Sequence, residues 1–252
     1  MSPSADVPAW LTARPIAHRG LHDRAAGIPE NTCAAARAAI AGGYAIECDV
    51  QLSADGEAMV FHDDALGRLT EATDPIGTRS ASDLAGLAIA GTSERIPTLA
   101  DFLSIIAGRV PIVIEVKSHF SGDLRLTRRV VEVVSAYDGP AAVKSFDPAV
   151  VAALAELAPA IPRGMVGESH QDDPSYASLS PSFRRSLANL LHLGESRPDF
   201  LSWRVDDLPC AATFLCRHLA VMPLMTWTVR NEDQRALAAA HADQMVFEGF
   251  RP

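Results

Sequence analysis

The chain is poor in positive charge. Its 252 residues hold 22 Lys and Arg against 31 Asp and Glu, a net charge of -9. A nucleic-acid binder needs a basic patch to displace counterions from phosphate, so that class is excluded. The basic pairs Arg128-Arg129 and Arg184-Arg185 fall on expected helices and read as solvated faces. Cysteine is scarce too. Cys33, Cys48, Cys210 and Cys216 are scattered, with no Cys-x-x-Cys spacing. That excludes a zinc knuckle and a dithiol redox motif, and reads as reduced thiols in a cytoplasmic protein. No apolar run approaches the ~18 residues that span a bilayer, so stable membrane insertion is not expected. The start, Met1-Ser2-Pro3-Ser4-Ala5-Asp6, lacks the basic and apolar regions of a secretory leader, which again points to the cytoplasm. The stretch from Gly20 to Gly27 lacks G-x-G-x-x-G spacing, which counts against a doubly wound dinucleotide fold.

What is present is apolar and regularly punctuated. The composition is 48% hydrophobic, and the length suits one α/β domain over residues 1–252. Strand-like runs recur at 15–18, 44–50, 111–117, 141–144, 163–166, 200–203, 222–227 and 244–247. Helical patterns separate them: an alanine-rich one capped by Asn31 or Thr32 and closed by Gly42-Gly43, then 99–107, 122–137, 148–157, 181–191, 207–218 and 231–240. Eight such units match a (β/α)8 TIM barrel. A ninth run, 59–62, follows the second strand too closely for a parallel crossover, so it is a hairpin arm. Residues 63–97 are polar and irregular and read as a small insertion or lid after the second strand.

The densest chemistry lies between residues 45 and 64. Asp55-Gly56 separates two apolar runs and reads as a two-residue hairpin turn. That turn pairs Ala54 with Glu57 and, counting back, sets Asp49 opposite His62. A strand's period of two puts Glu47 on the face of Asp49. One surface should then carry Glu47, Asp49 and His62.

In a TIM barrel, catalytic groups collect at the carboxyl ends of the strands. Here His18-Arg19 ends the first strand, Glu47 and Asp49 the second, Glu115 and Lys117 the third, Lys144 the fourth, Trp203 the sixth and Trp227 the seventh. Chance would scatter polar groups to both ends. The three carboxylates Glu47, Asp49 and Glu115 repel one another unless a cation lies among them. All-oxygen donors favour one hard divalent ion, Mg2+ or Ca2+. The competing reading is a salt-bridge network with Arg19, Lys117 and Lys144. One histidine at a strand end is usually a satisfied polar residue. Two of them, His18 and His62, beside carboxylates and cations read as proton acceptor and donor. Arg19 suits bidentate phosphate contact, and Lys117 adds a point charge. Together these groups describe phosphoester chemistry. A glycosidase would want paired carboxylates without the cations, and a zinc hydrolase histidines at closer spacing. The other six histidines have loop or helix settings and read as surface or packing residues.

The same residues fall in ordered motifs. His18-Arg19-Gly20, Pro29-Glu30-Asn31-Thr32, Glu47-x-Asp49-Val50, Asp55-Gly56 and Val60-x-His62-Asp63 closely resemble the glycerophosphodiester phosphodiesterase family. Ile96-Pro97-Thr98-Leu99, Glu115-Val116-Lys117, Ser145-Phe146-Asp147 and Trp227-Thr228-Val229-x-Asn231 extend the match, in order, over nearly the whole chain. Each motif is short; their order makes the set specific. The resemblance implies a TIM barrel with a small insertion. It implies metal-dependent hydrolysis of a small-molecule glycerophosphodiester to glycerol phosphate and an alcohol. By the same resemblance His18 is the base and His62 the acid, and Glu47, Asp49 and Glu115 hold the metal. Arg19 contacts phosphate, Lys117 and Trp227 face the substrate, and Glu30 is a supporting carboxylate beside Asn31. The chain departs from the family pattern at Lys144 and at its end, Phe247-Glu248-Gly249-Phe250. Two alternatives stand beside this reading. One is a lysophospholipase D-like lipid phosphodiesterase, with an apolar mouth from Leu84, Leu87 and Ile89, although those residues also suit a small core of the insertion. The other is a phosphoester-binding barrel without catalysis.

Overall fold

The computed structural model describes residues 7–171 and 176–252, so Met1 to Asp6 lie outside the described part. The described residues fall into two compact units. One comprises residues 16–117 and 123–141. It contains β1 (Ile16–Ala17), α1 (Cys33–Gly42), β2 (Ala45–Leu52), β3 (Ala58–Val60), α2 (Ala81–Gly86), α3 (Leu99–Ile106), β4 (Ile112–Val116) and α4 (Arg125–Ser135). The other comprises residues 7–15, 118–122, 142–171 and 176–252. It contains β5 (Ala141–Ser145), α5 (Pro148–Leu157), β6 (Arg163–Gly167), α6 (Pro181–Ala188), α7 (Leu193–Ser196), β7 (Phe200–Arg204), α8 (Ala211–Leu219), β8 (Leu224–Val229), α9 (Glu232–His241) and β9 (Gln244–Phe247). Eight strands alternating with helices, plus the single arm β3, make this the (β/α)8 TIM-barrel fold class.

Local chemistry explains the element ends. Thr32, rather than Asn31, caps α1 by accepting from Ala35 N–H, and Gly43 closes it at φ 72°. Asp147 and Pro148 open α5 in the same way, with the proline where no donor is needed. On α4, Leu126, Val130 and Val134 repeat every four residues and are the buried stripe. The expected helix at 207–218 begins only at Ala211, because Pro209 cannot continue a hydrogen-bonded turn; Cys210 is its cap. The helix expected over 181–191 stops at Ala188 and resumes briefly as α7.

In the first unit β2 is the central strand. It pairs in parallel with β1 and β4 and antiparallel with β3. Nearly every β2 residue is buried, as befits a strand covered on both faces. In the second unit β5 to β9 pair in parallel in chain order. A Cβ on Gly167 would come within 2.4 Å of the buried Trp203 ring, so that glycine admits the indole into the core with Leu187, Leu190 and Leu201.

The hairpin register differs from the expected one. Val50 pairs with Val60, Gln51 with Met59 and Leu52 with Ala58. Ser53 N–H donates to the Glu57 carbonyl at 2.9 Å, so the loop is Ala54-Asp55-Gly56, three residues rather than two. Gly56, at φ 89°, takes the left-handed position that closes such a loop. One extra turn residue slips the pairing by one. Phe61 N–H therefore donates to the Asp49 carbonyl, and His62 is not the cross-strand partner of Asp49.

Residues 63–97 form a small insertion with its own core. Leu66, Leu69, Ile76, Leu84, Ile89 and Ile96 are buried together with Met59 and Phe61 of the hairpin arm.

Candidate active site

The site is built at the carboxyl ends of β1, β2 and β4. Glu47 and Asp49 share one face of β2, two residues apart. Asp49 lies directly beside Glu115 in the parallel register with β4. The three carboxylates are buried, and one oxygen from each lies within 4.8 Å of the others. Three like charges this close need compensation. Lys117 Nζ supplies part of it, lying 2.7 Å from Asp49 Oδ1 and also donating to Glu115 Oε1. Arg19 Nε lies 3.3 Å from Asp49 Oδ2, and the Arg19 backbone N–H donates to Glu47 Oε2 at 3.1 Å.

The loop after β1 sets Arg19 there. Arg19 at φ 56° and Gly20 at φ 77° reverse the chain just past the strand. Gly20 N–H then donates to the Glu47 carbonyl at 3.1 Å. A Cβ on Gly20 would meet the Ala35 carbonyl carbon at 2.9 Å, so the close approach to α1 requires glycine.

Charge organises around Asp49. Burial works against its ionised form, yet Lys117, His62, Arg19 and His18 hold its carboxyl well below the usual carboxylate range. Burial likewise works against the charge on Lys117, but Asp49 and Glu115 push its ammonium above the usual lysine value. Both histidines thus act on one carboxylate. His18 follows β1 directly and is buried. His62 arrives by another route than the hairpin ladder. β3 ends at Val60, and Gln51 of β2 then donates from Nε2 to the His62 carbonyl at 3.0 Å. The Nδ1–H of His62 donates to Asp63 Oδ1 at 2.6 Å. A carboxylate only accepts, so this partner keeps a proton on Nδ1 and leaves Nε2 as the nitrogen that exchanges a proton.

The buried acidic triad thus lies beside an arginine and a lysine, and comparison with known proteins gives the chain a family. The model of the glycerophosphoryl diester phosphodiesterase family matches residues 18–247. The chain belongs to that family. It is accordingly a phosphoric diester hydrolase. It is 30% identical to YhdW of Bacillus subtilis (strain 168) over 194 residues, 72% of this chain and 76% of that one. It is 29% identical to a glycerophosphodiester phosphodiesterase of Caldanaerobacter subterraneus, over 65% of this chain and 70% of that one. Among solved structures it is similar to a phosphodiesterase of Oleispira antarctica in complex with the product sn-glycerol-3-phosphate, with a TM-score of 0.76 and 23% identity over 94% and 93% of the two chains. A glycerophosphodiester phosphodiesterase of Thermotoga maritima gives a TM-score of 0.70 and 23% identity over 92% of each chain. These structural likenesses speak for the fold.

Within this family member, eight of the nine residues expected at the site lie in one unit: His18, Arg19, Glu30, Glu47, Asp49, His62, Glu115 and Lys117. Glu30 accepts from Arg19 Nη1 at 2.6 Å and from Arg68 at 2.8 Å. Burial opposes its charge, but the Arg68 hydrogen bonds and the Arg19 charge bring its carboxyl down to about 2. The ninth, Trp227, belongs to the other unit. Its Nε1–H donates to the Ser202 carbonyl at 3.0 Å, and its ring meets Phe146 edge-on at 5.5 Å. Lys144 is buried within β5 of that unit.

Four residues that hold the site were not singled out from the sequence. Asn31 is buried, donates from Nδ2 to Asp49 Oδ2 at 3.0 Å and accepts the Asp49 N–H on Oδ1 at 3.3 Å. The motif around Glu30 contained it, but only as a candidate cap. Asp63 was visible as the neighbour of His62. Gln51 and Arg68 carried no sequence signal. Among the described residues, no helix is long and apolar enough to cross a membrane.

Proposed function

We propose that this protein hydrolyses glycerophosphodiesters to glycerol phosphate and an alcohol, using His18 and His62 as proton carriers and one divalent cation, Mg2+ or Ca2+. The observation that carries the reading is the buried carboxylate triad with Arg19 and Lys117 paired to Asp49, the same carboxylate on which the charges of His18 and His62 act. Glu47, Asp49 and Glu115 would hold the cation; their hard oxygen donors fit Mg2+ or Ca2+. When bound, such an ion neutralises charge on the phosphoryl oxygens.

The residues of the chain do the rest. Arg19 and Lys117 bind the phosphate and hold it against the triad. His18 takes the proton from the nucleophile, water or the substrate hydroxyl next to the phosphate, as its oxygen bonds to phosphorus. The bond from phosphorus to the alcohol oxygen breaks, and His62, loaded on Nε2, gives that oxygen its proton. Where the nucleophile is the substrate hydroxyl, water then opens the cyclic phosphate with the two histidines exchanging roles. Over the cycle one water is consumed, and glycerol phosphate and an alcohol leave. Leu84 and Ile89 are buried in the insertion core and half-buried Leu87 packs against it, which supports a water-soluble diester over a lipid drawn to an apolar mouth.

The test is release of glycerol phosphate from glycerophosphocholine by the purified protein, with Mg2+, with Ca2+ and in excess chelator. We expect turnover with metal, loss in chelator and recovery on adding the ion. His18→Ala and His62→Ala should each lower turnover by roughly 100-fold or more. Near-normal turnover in both variants would sink the acid–base assignment. Full activity in chelator, with no metal found by elemental analysis, would favour the salt-bridge network with Lys117 and Arg19 as the reading of the triad. Binding without release would indicate a phosphoester-binding barrel.

A further inference from the structure

We propose that Arg68, in the insertion, is a positioning residue that fixes the imidazole of His62 through Asp63. This rests on the reading of His62 as a proton carrier. Arg68 ends a short helical turn, Leu66–Arg68, whose base is seated by buried Leu66 and Leu69 in the insertion core. Its guanidinium grips two carboxylates at once. Toward Asp63 it donates from Nε to Oδ2 at 2.5 Å and from Nη2 to Oδ1 at 3.1 Å. Toward Glu30 it donates from Nη1 to Oε2 and from Nη2 to Oε1, both at 2.8 Å.

Each grip has a consequence at the site. Asp63, held on both oxygens, presents Oδ1 to the Nδ1–H of His62 at 2.6 Å. The imidazole is then fixed both in rotation and in tautomer, with Nε2 left for the reacting proton. Glu30, the other anchor, also binds Arg19 Nη1 at 2.6 Å. Arg68 thus spans from the group that moves the proton to the group that meets the phosphate. The sequence hides this link, since Glu30 and Arg68 stand 38 residues apart.

A purely structural role would predict something different. The Arg68 side chain is 44% exposed, and ion pairs so exposed contribute little to stability. Arg79 offers a control within the same insertion. It grips Asp74 with the same two-pronged geometry, at 2.6 and 2.8 Å, rather than a carboxylate bonded to a site histidine.

The experiment compares kcat and KM for glycerophosphocholine, with metal, in the wild type, Arg68→Ala, Arg68→Lys, Asp63→Asn and Arg79→Ala. His62→Ala and the double variant His62→Ala with Arg68→Ala complete a cycle. We expect Arg68→Ala and Asp63→Asn to lower kcat about 10- to 100-fold, with KM changed less. Arg68→Lys recovers part of the loss, and Arg79→Ala turns over like the wild type. With His62 already gone, removing Arg68 costs little more. Nitrogen spectra of the imidazoles report His62 as the Nδ1–H tautomer in the wild type and as a mixture in Arg68→Ala. Wild-type kcat in Arg68→Ala overturns the proposal, as does the same proportional loss with and without His62. Should Arg68→Ala fail to fold, Asp63→Asn carries the same comparison. Wild-type turnover in His62→Ala alone would mark failure of the underlying reading, a result separable from the others.

Discussion

Single residues in this site work by holding other residues. Glu30 is the plainest case, because its carboxylate is shared by Arg19 and Arg68. Its carboxyl lies at about 2, below the ~4.3 of an unfolded chain. The folded state therefore gains from its ionisation above that unfolded value, and loses the gain as pH falls toward 2. Glu30→Gln should be less stable than the wild type at neutral pH, and the gap should close as pH drops from about 4.5 to 2. Urea midpoints measured across that range check this; a gap that stays constant would mean the carboxylate charge is not involved. Asn31 shows the same logic without charge. It fixes both the backbone and the carboxylate of Asp49, and its backbone sits at φ 55°, a region asparagine tolerates better than most residues.

At the scale of elements, turns decide where these side chains meet. The loop after β1 can lie on α1 only because Gly20 has no Cβ and accepts φ 77°. Gly20→Ala should cost ~1–3 kcal/mol in chemical denaturation, since the contact it creates is with main-chain atoms that cannot swing away. It should also depress turnover, because His18 and Arg19 share that loop. Wild-type stability in Gly20→Ala would show that the loop can shift without penalty. The hairpin between β2 and β3 teaches the complementary point. A dipeptide reading of its turn placed Asp49 opposite His62, and one additional residue undid that pairing. Gln51 and Asp63 bring His62 to the site instead, with side-chain hydrogen bonds in place of the ladder.

Across the whole molecule, acid should act first on buried neutral groups. His192, in the second unit, is buried with Nδ1 near Ser196 Oγ at 3.1 Å, and burial pushes its imidazole down to about 4. The unfolded chain takes up that proton near ~6.5, so stability present above this value drains as pH falls toward 4. Melting temperatures should decline over that interval, and His192→Gln should flatten the decline; an unchanged slope would place the acid sensitivity elsewhere.

Much of the architecture was legible in the chain itself. The alternation of apolar runs with capped helices marked eight βα units, because periodicity and capping are local properties that neighbouring residues impose on one another. The shared face of Glu47 and Asp49 was legible for the same reason: residues two apart on a strand share a face wherever the strand goes. The boundary of α8 was missed by a few residues, where Pro209 outweighed the apolar pattern. What only the tertiary structure decided was register and reach. A strand's face depends on its parity, so one turn residue more or less reverses it, and Asp55-Gly56 suits a two-residue loop and the end of a three-residue one alike. The grip of Arg68 on Glu30 and Asp63, and of Asn31 on Asp49, joins residues whose separation in sequence carries no period. Those contacts exist because the insertion and the loop after β1 pack where they do, and packing is settled by the core beneath them.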